Sequence, residues 1–142
     1  MRIGLVALAT AIGLTVTSLA VAKGGNHLTA QLRGSNERPA AAATNRGRAE
    51  IRLNAATGKV CWQFTIARID GRPTAAHIHK GAPGLSGPVV VPLGTTFKRQ
   101  GCASAAKSKI RAIASRPGAF YVNVHNAKHP AGAMRGQLRA DL

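Results

Sequence analysis

Apolar and polar residues alternate in several short runs of the chain, which is the period of a β-strand with one buried face. The alternation is strict over residues 49–53 and 60–66, and the turn-forming pair Thr57 and Gly58 lies between these runs, so the two predict a β-hairpin. Further strands are predicted at residues 28–32, 74–79, 89–93, 120–125 and 134–138. Short strands separated by turns about every ten residues predict an all-β sandwich or barrel.

One segment departs from this period. Its apolar residues follow the spacing of one helical face: Ala106, Ile110, Ile113 and Ala114. This spacing predicts a short surface helix over about residues 104–115. Ser104 is the expected N-terminal cap, because its hydroxyl can accept a hydrogen bond from a free backbone N–H group of the first turn. Pro117 and Gly118 are expected to stop the helix.

The first 22 residues have the composition of a secretory signal peptide. A basic start at Arg2 precedes an uncharged, largely apolar run, and Ala20 and Ala22 place small residues where signal peptidase cleaves. The alternative is an uncleaved membrane anchor, because the run is nearly long enough to span a bilayer. We expect cleavage, which leaves residues 23–142 as one secreted domain, extracellular or in the cell envelope, without membrane contact.

The chain has two cysteines, Cys61 and Cys102, which are 41 residues apart. An even number of cysteines in an exported protein favours a disulfide bond. Cys61 shares a strand face with Gln63 and Thr65, opposite the apolar face. We therefore expect a disulfide outside the main core that ties a later loop onto the sheet.

The net charge of the chain indicates which partners to expect and says little about the fold. The chain has 20 basic and 4 acidic side chains, a net charge of +16. So few carboxylates exclude a calcium cage and leave little for chemistry based on paired acids. The basic residues are scattered and aromatic residues are few, so no nucleic acid is expected as a partner. Anionic polymers of the cell envelope or extracellular space are the expected partners, and an ordinary solvated basic surface is the alternative.

Histidines form the most chemically distinctive pattern. His77 and His79 are two residues apart on a predicted strand, so both side chains point to the same side. His125 ends another predicted strand, and the three imidazoles converge if these strands are neighbours. Imidazole nitrogens suit copper and zinc, with copper(II) bound more tightly, and His129 is a candidate fourth ligand. The alternative is a structural role, in which the histidines orient the loop at residues 81–88.

Three blocks of the sequence resemble the signature blocks of the CHRD domain family, which is named after chordin. They are LRGSNERPA at residues 32–40, TAAHIHKGAPGLSGPVVVPL at residues 74–93 and YVNVHNAKHPAGAMRGQL at residues 121–138. The resemblance implies an extracellular, immunoglobulin-like or Greek-key β-sandwich or barrel with no established enzymatic activity. It also implies that His77, His79 and His125 match the family pattern, whereas His129 does not.

We favour a secreted CHRD-type binding domain that holds copper, or else zinc, through these three histidines, and we expect no enzymatic activity. The first alternative is an extracellular structural or adhesion module that binds anionic envelope polymers. The second is a copper enzyme similar to superoxide dismutase, which also uses a His-x-His strand and a later histidine. This chain lacks the additional histidines and aspartate that form the zinc half of that enzyme.

Overall fold

The computed structural model describes residues 26–141 of the chain. The strands are β1 (His27–Arg33), β2 (Arg46–Asn54), β3 (Lys59–Arg68), β4 (Pro73–Lys80), β5 (Val89–Pro92), β6 (Gln100–Ser104), β7 (Phe120–Asn126), β8 (Met134–Gln137) and β9 (Arg139–Ala140). A single α-helix, α1 (Lys107–Ser115), and two short 3₁₀ turns, Gly34–Asn36 and Pro117–Ala119, complete the described range. The predicted all-β class is confirmed, and β6 and β9 are additional to the predicted strands.

The strands form one antiparallel sheet in the order β5-β4-β7-β8-β1-β2-β3-β6, with β9 paired to β1. The connection from β5 to β6 bridges the two sides of this sheet. In it, the Phe97 N–H donates to the Thr74 carbonyl of β4 at 2.9 Å. The Arg99 carbonyl accepts from the Phe64 N–H of β3 at 2.7 Å. The sheet is therefore a nearly closed barrel, and the predicted β2–β3 hairpin is confirmed.

Alternation along each strand separates the barrel's interior from its outer face. Ala76 and Ile78 of β4 and Val122 and Val124 of β7 are buried in the core. Because successive side chains point to opposite faces, the residues next to them on these strands lie on the outer face. The outer face here includes His77, His79, Tyr121, Asn123 and His125.

The helix begins at Lys107, so the predicted start at Ser104 was wrong, as was its role as the cap. Ser104 is the last residue of β6, where it pairs with Lys59 of β3. Ser104, the first residue of the predicted helix, is therefore part of a strand that pairs with β3. The predicted apolar stripe is confirmed at Ile110 and Ile113, which are buried in the core, and the helix ends at Ser115 as expected.

The disulfide between Cys61 and Cys102 is present. The two residues are direct partners across β3 and β6, so the bond joins adjacent strands. The expectation that it ties a loop onto the sheet was wrong, because residues 100–104 form a strand. The Cys61 side chain does lie outside the core. Closing a loop of this length stabilises the fold by about 4 kcal/mol in the chain-entropy account.

The predicted signal peptide at residues 1–22 lies outside the described residues, and its cleavage stays a prediction. Within residues 26–141, no helix combines the length and the apolar character needed to cross a membrane.

Candidate metal centre

Three histidines lie together on the outer face of the barrel, where β4 and β7 are hydrogen-bonded neighbours. His77 pairs with Asn123 and His79 with Tyr121, and His125, two residues further along β7, pairs with Ala75. The ring of His77 lies 5.6 Å from that of His79 and 4.9 Å from that of His125, between centroids. Each ring offers one nitrogen within 4.8 Å of the other two. The predicted convergence of these three imidazoles is confirmed.

The loop at residues 81–88 covers this cluster, and we call it the covering loop. His79 Nδ1 lies 2.8 Å from the Gly87 carbonyl oxygen, and the Gly87 N–H donates to the Tyr121 hydroxyl at 3.2 Å. Arg135 donates to the Leu85 carbonyl at 3.0 Å and to the Ser86 hydroxyl at 3.2 Å. As a result, the His79 side chain is buried although it belongs to the outer face of the sheet. His79 thus also fulfils the structural role considered from sequence.

Hydrogen bonds to backbone carbonyls orient two of the rings. His79 Nδ1 faces the Gly87 carbonyl, and His125 Nδ1 lies 2.9 Å from the Pro130 carbonyl. A carbonyl only accepts hydrogen bonds, so these Nδ1 atoms carry the hydrogen and both Nε2 atoms keep a lone pair. His125 Nε2 accepts a hydrogen bond from His77 Nδ1 at 3.0 Å, and the side-chain amide of Asn123 lies beside it at 3.1 Å. Metal-binding histidines use this arrangement, in which a backbone carbonyl accepts from the ring nitrogen that does not bind the metal, and His79 and His125 share it.

The cluster fits a transition-metal ion on two observations. His79 Nε2 is buried and has no hydrogen-bond partner among residues 26–141, a state that costs about 1–3 kcal/mol for a polar atom. At the tetrahedral angle, two nitrogens that bind one ion at about 2.0–2.1 Å are about 3.4 Å apart. The nitrogens here lie within 4.8 Å of one another, so the widest pair has to approach by up to about 1.4 Å when an ion binds.

Burial keeps the cluster uncharged. Burial and, to a smaller extent, the neighbouring His125 and His79 lower the pKa of His77 to about 4. Burial also lowers the pKa of His79 and of His125, against the hydrogen bonds to Gly87 and Pro130, which raise them. The nearby positive charge of Arg135 adds to the lowering for both. At neutral pH all three rings are therefore neutral, the form that binds a metal ion.

Behind His79 lies a stack of side chains that sequence reasoning did not assign to the site. The Tyr121 ring is parallel to the His79 ring at 4.9 Å, and the Arg135 guanidinium lies 4.2 Å from the Tyr121 ring centre. Arg135 Nε donates to the Glu37 carboxylate at 2.7 Å, and both side chains are almost fully buried. Burial raises the pKa of Glu37, and Arg135 opposes that shift. Glu37 lies in the first quoted block, residues 32–40, and Arg135 in the third, residues 121–138. A predicted contact between these two blocks was the signal that could have revealed the ion pair.

His129, the candidate fourth ligand, is placed elsewhere. Its Nε2 lies 2.8 Å from Asp70 Oδ2, and the Asn45 side chain holds the same carboxylate at 2.7 Å. Hydrogen bonds from Asn45 and His129 lower the pKa of Asp70 to about 2. Within the described residues, the group that could hold a metal contains His77, His79 and His125 but not His129.

Residues 28–138 match the CHRD domain, and the chain belongs to the CHRD domain family. The matched region contains all three blocks whose resemblance was noted, the histidine cluster and the disulfide. Family membership together with the disulfide indicates an extracellular domain. Comparison with curated proteins and with solved structures gave no match.

Proposed function

We propose that this CHRD domain binds one transition-metal ion, copper(II) in preference to zinc(II), through His77, His79 and His125. Two observations carry the proposal: His79 Nε2 is buried and unpartnered among the described residues, and each of the three imidazoles offers one nitrogen within 4.8 Å of the others. A bound ion would take the lone pair that no group of the described residues satisfies. It would also replace the hydrogen shared between His77 Nδ1 and His125 Nε2.

The donor set supports copper over the hard cations. Imidazole nitrogens alone form the group, whereas calcium and magnesium prefer carboxylate and carbonyl oxygens. Divalent copper binds nitrogen sites more tightly than divalent zinc. When bound, copper supplies redox chemistry, and the protein's contribution is to hold the three rings neutral and oriented.

Binding rather than turnover is the expected activity. Near the cluster, the carboxylate of Glu37 is engaged by Arg135 at 2.7 Å, and that of Asp70 by His129 at 2.8 Å. Among the described residues, these contacts leave neither acid free to act as a general base beside the three histidines. The covering loop further restricts access to His79.

A structural role is the second candidate, and one observation favours it. Two rings of the cluster already hold loops, His79 through the Gly87 carbonyl and His125 through the Pro130 carbonyl. In that case the histidines stabilise the covering loop and the turn at residues 129–132 without an ion. Metal titration separates this role from the proposed one.

Calorimetric titration of the purified protein with copper(II) and zinc(II) tests the proposal. We expect one ion per chain, with copper bound more tightly. His79→Phe keeps a ring against Tyr121 but removes a ligand, so affinity should fall by more than the roughly 10–100-fold that loss of an outer partner costs. His27→Phe is the control, because His27 lies beside Glu50 and Asp141 rather than in the cluster.

Unchanged affinity in folded His79→Phe would refute the proposed site and leave the structural role. A superoxide assay on the copper-loaded protein tests the remaining alternative, a copper enzyme similar to superoxide dismutase. Turnover of superoxide would contradict the proposal that the domain only binds the ion.

A further inference from the structure

A second region of the outer face carries charge that the fold does not neutralise. We propose that the outer face of β1, β2 and β3 is a docking surface for an acidic polysaccharide, whose carboxylates pair with Arg33, Arg46 and Arg68. We call these three residues the arginine row. This inference does not depend on the metal site.

Strand register places the arginine row. Arg46 is the direct partner of Arg33 on β1 and of Arg68 on β3, so three arginines stand side by side across three adjacent strands. All three side chains are exposed. Neighbouring strands are about 4.8 Å apart, which sets a close spacing of positive charge, and the register of β2 and β3 shifts between Arg46 and Gly47. Arg33 and Arg46 also line a groove of about 230 Å³ together with Gln31, Arg48 and Thr65.

The charges of the row have no partner within the part of the chain that the structure describes. Like charges directly opposite each other on a sheet are destabilising, so the row costs the fold stability. On the same face Arg48 has Glu50 at 3.4 Å, but no ion pair of residues 26–141 involves Arg33, Arg46 or Arg68. Arg135 gives the contrast: it pairs in register with Arg33, yet it is buried against Glu37.

The chemistry of the row points to closely repeated carboxylates. A guanidinium group binds a carboxylate through two parallel hydrogen bonds, and three such groups in line match a linear polyanion better than a single small anion. Gln31 and Thr65 offer the groove hydrogen-bonding groups for sugar hydroxyls. The aromatic side chains of β3, Trp62 and Phe64, point into the core, so the face lacks the stacking platform of single-stranded nucleic-acid sites. An extracellular domain meets acidic polysaccharides.

The test compares two variants with the same net charge on the full protein. One replaces the row, Arg33→Gln with Arg46→Gln and Arg68→Gln, and the control replaces three exposed bases of the helix segment, Lys107→Gln with Arg111→Gln and Arg116→Gln. Binding to immobilised polygalacturonate is measured at several salt concentrations. We expect the row variant to bind about tenfold more weakly, since three exposed ion pairs worth a factor of about two each multiply to that order. The control should lose less than about twofold.

Equal losses in the two variants would overturn the proposal, because diffuse net charge would then explain the binding. Tighter binding of a single-stranded oligonucleotide than of polygalacturonate would overturn it as well. The salt dependence gives an independent measure: its slope should be shallower in the row variant than in the control. If the triple variant fails to fold, Arg46→Gln alone, measured against Arg111→Gln, makes the same comparison at about a twofold effect.

Discussion

Basic side chains on the outer face of one sheet meet two different environments in this domain. On β4 and β7 the covering loop and Arg135 help to bury His79, and His77 and His125 are half-buried. Burial is the largest cause that lowers the pKa of His77 to about 4. On β1, β2 and β3 no loop within residues 26–141 covers the arginine row, and its side chains are exposed and charged. One line of register partners connects the two regions: His77, Asn123, Arg135, Arg33, Arg46 and Arg68.

The comparison shows that burial by a loop, rather than strand pairing, determines which outer side chains are neutral and which are charged. Both regions are built from the same alternation of inward apolar and outward polar residues. Where a loop excludes water, neutral imidazoles keep lone pairs that suit a metal ion. Where the sheet is open, charge persists and suits an anionic partner.

Arg135 and Arg33 give the largest expected difference between the regions, because they are register partners with opposite burial. Arg135→Met should destabilise the protein by about 3–5 kcal/mol, since it leaves the Glu37 carboxylate buried without its partner. Arg33→Met should change stability by no more than about 0.5 kcal/mol. Urea denaturation of both variants measures the difference. Similar losses of stability in Arg135→Met and Arg33→Met would show that the two regions do not differ in burial.

Gly87→Ala tests the covering loop itself. A Cβ atom at Gly87 would collide with the Lys80 carbonyl, so the loop has to move away from His79 and Tyr121. We expect the free energy of unfolding to fall by about 1–3 kcal/mol. We also expect the His79 pKa to rise toward its ordinary value, because the displaced loop buries the ring less. Unfolding experiments and NMR titration of the histidine rings measure these effects. Gly118→Ala is the control, since a Cβ there meets nothing within 4 Å. A His79 pKa that stays as low in Gly87→Ala as in the wild type would contradict the account.

The acid sensitivity of the metal-free protein should come partly from the cluster. The pKa of His77 is about 4 in the folded state and near 6.5 in the unfolded state, so the unfolded state takes up the proton first. The resulting stability is complete above about pH 6.5 and is lost as pH falls through about 4. We expect His77 to contribute roughly 1–2 kcal/mol to the free energy of unfolding, a value that allows for the partial exposure of the ring.

Denaturation of the metal-free protein across this pH range checks the effect. His77→Phe should flatten the dependence, and His27→Phe should leave it intact because it keeps the three clustered histidines. An unchanged slope in His77→Phe would remove the cluster from the explanation.

Much of this molecule follows from local pattern. Alternation predicts the β2–β3 hairpin, and the His-x-His spacing places His77 and His79 on one face. The pairing of Cys61 with Cys102 follows from their number. The start of the helix does not follow, because residues 100–104 are mostly small or polar and become a strand only through pairing with β3.

Long-range contacts account for the rest. Glu37 and Arg135 are 98 residues apart, and their ion pair forms only when the first and third blocks meet beside the covering loop. His129 is four residues beyond His125, which suggested a shared ligand set. Asp70, from the turn before β4, instead takes the His129 ring. Neither contact has a periodic signature in the sequence.

The central claim, that three imidazoles of this cluster hold one ion, is tested most directly by pulsed EPR of the copper(II)-loaded protein, which counts the histidine nitrogens bound to copper. We expect three bound imidazoles in the wild type, two in His79→Phe and three in His129→Phe. A count that stays the same in His79→Phe, or falls in His129→Phe, would contradict the assignment of the ligands to His77, His79 and His125.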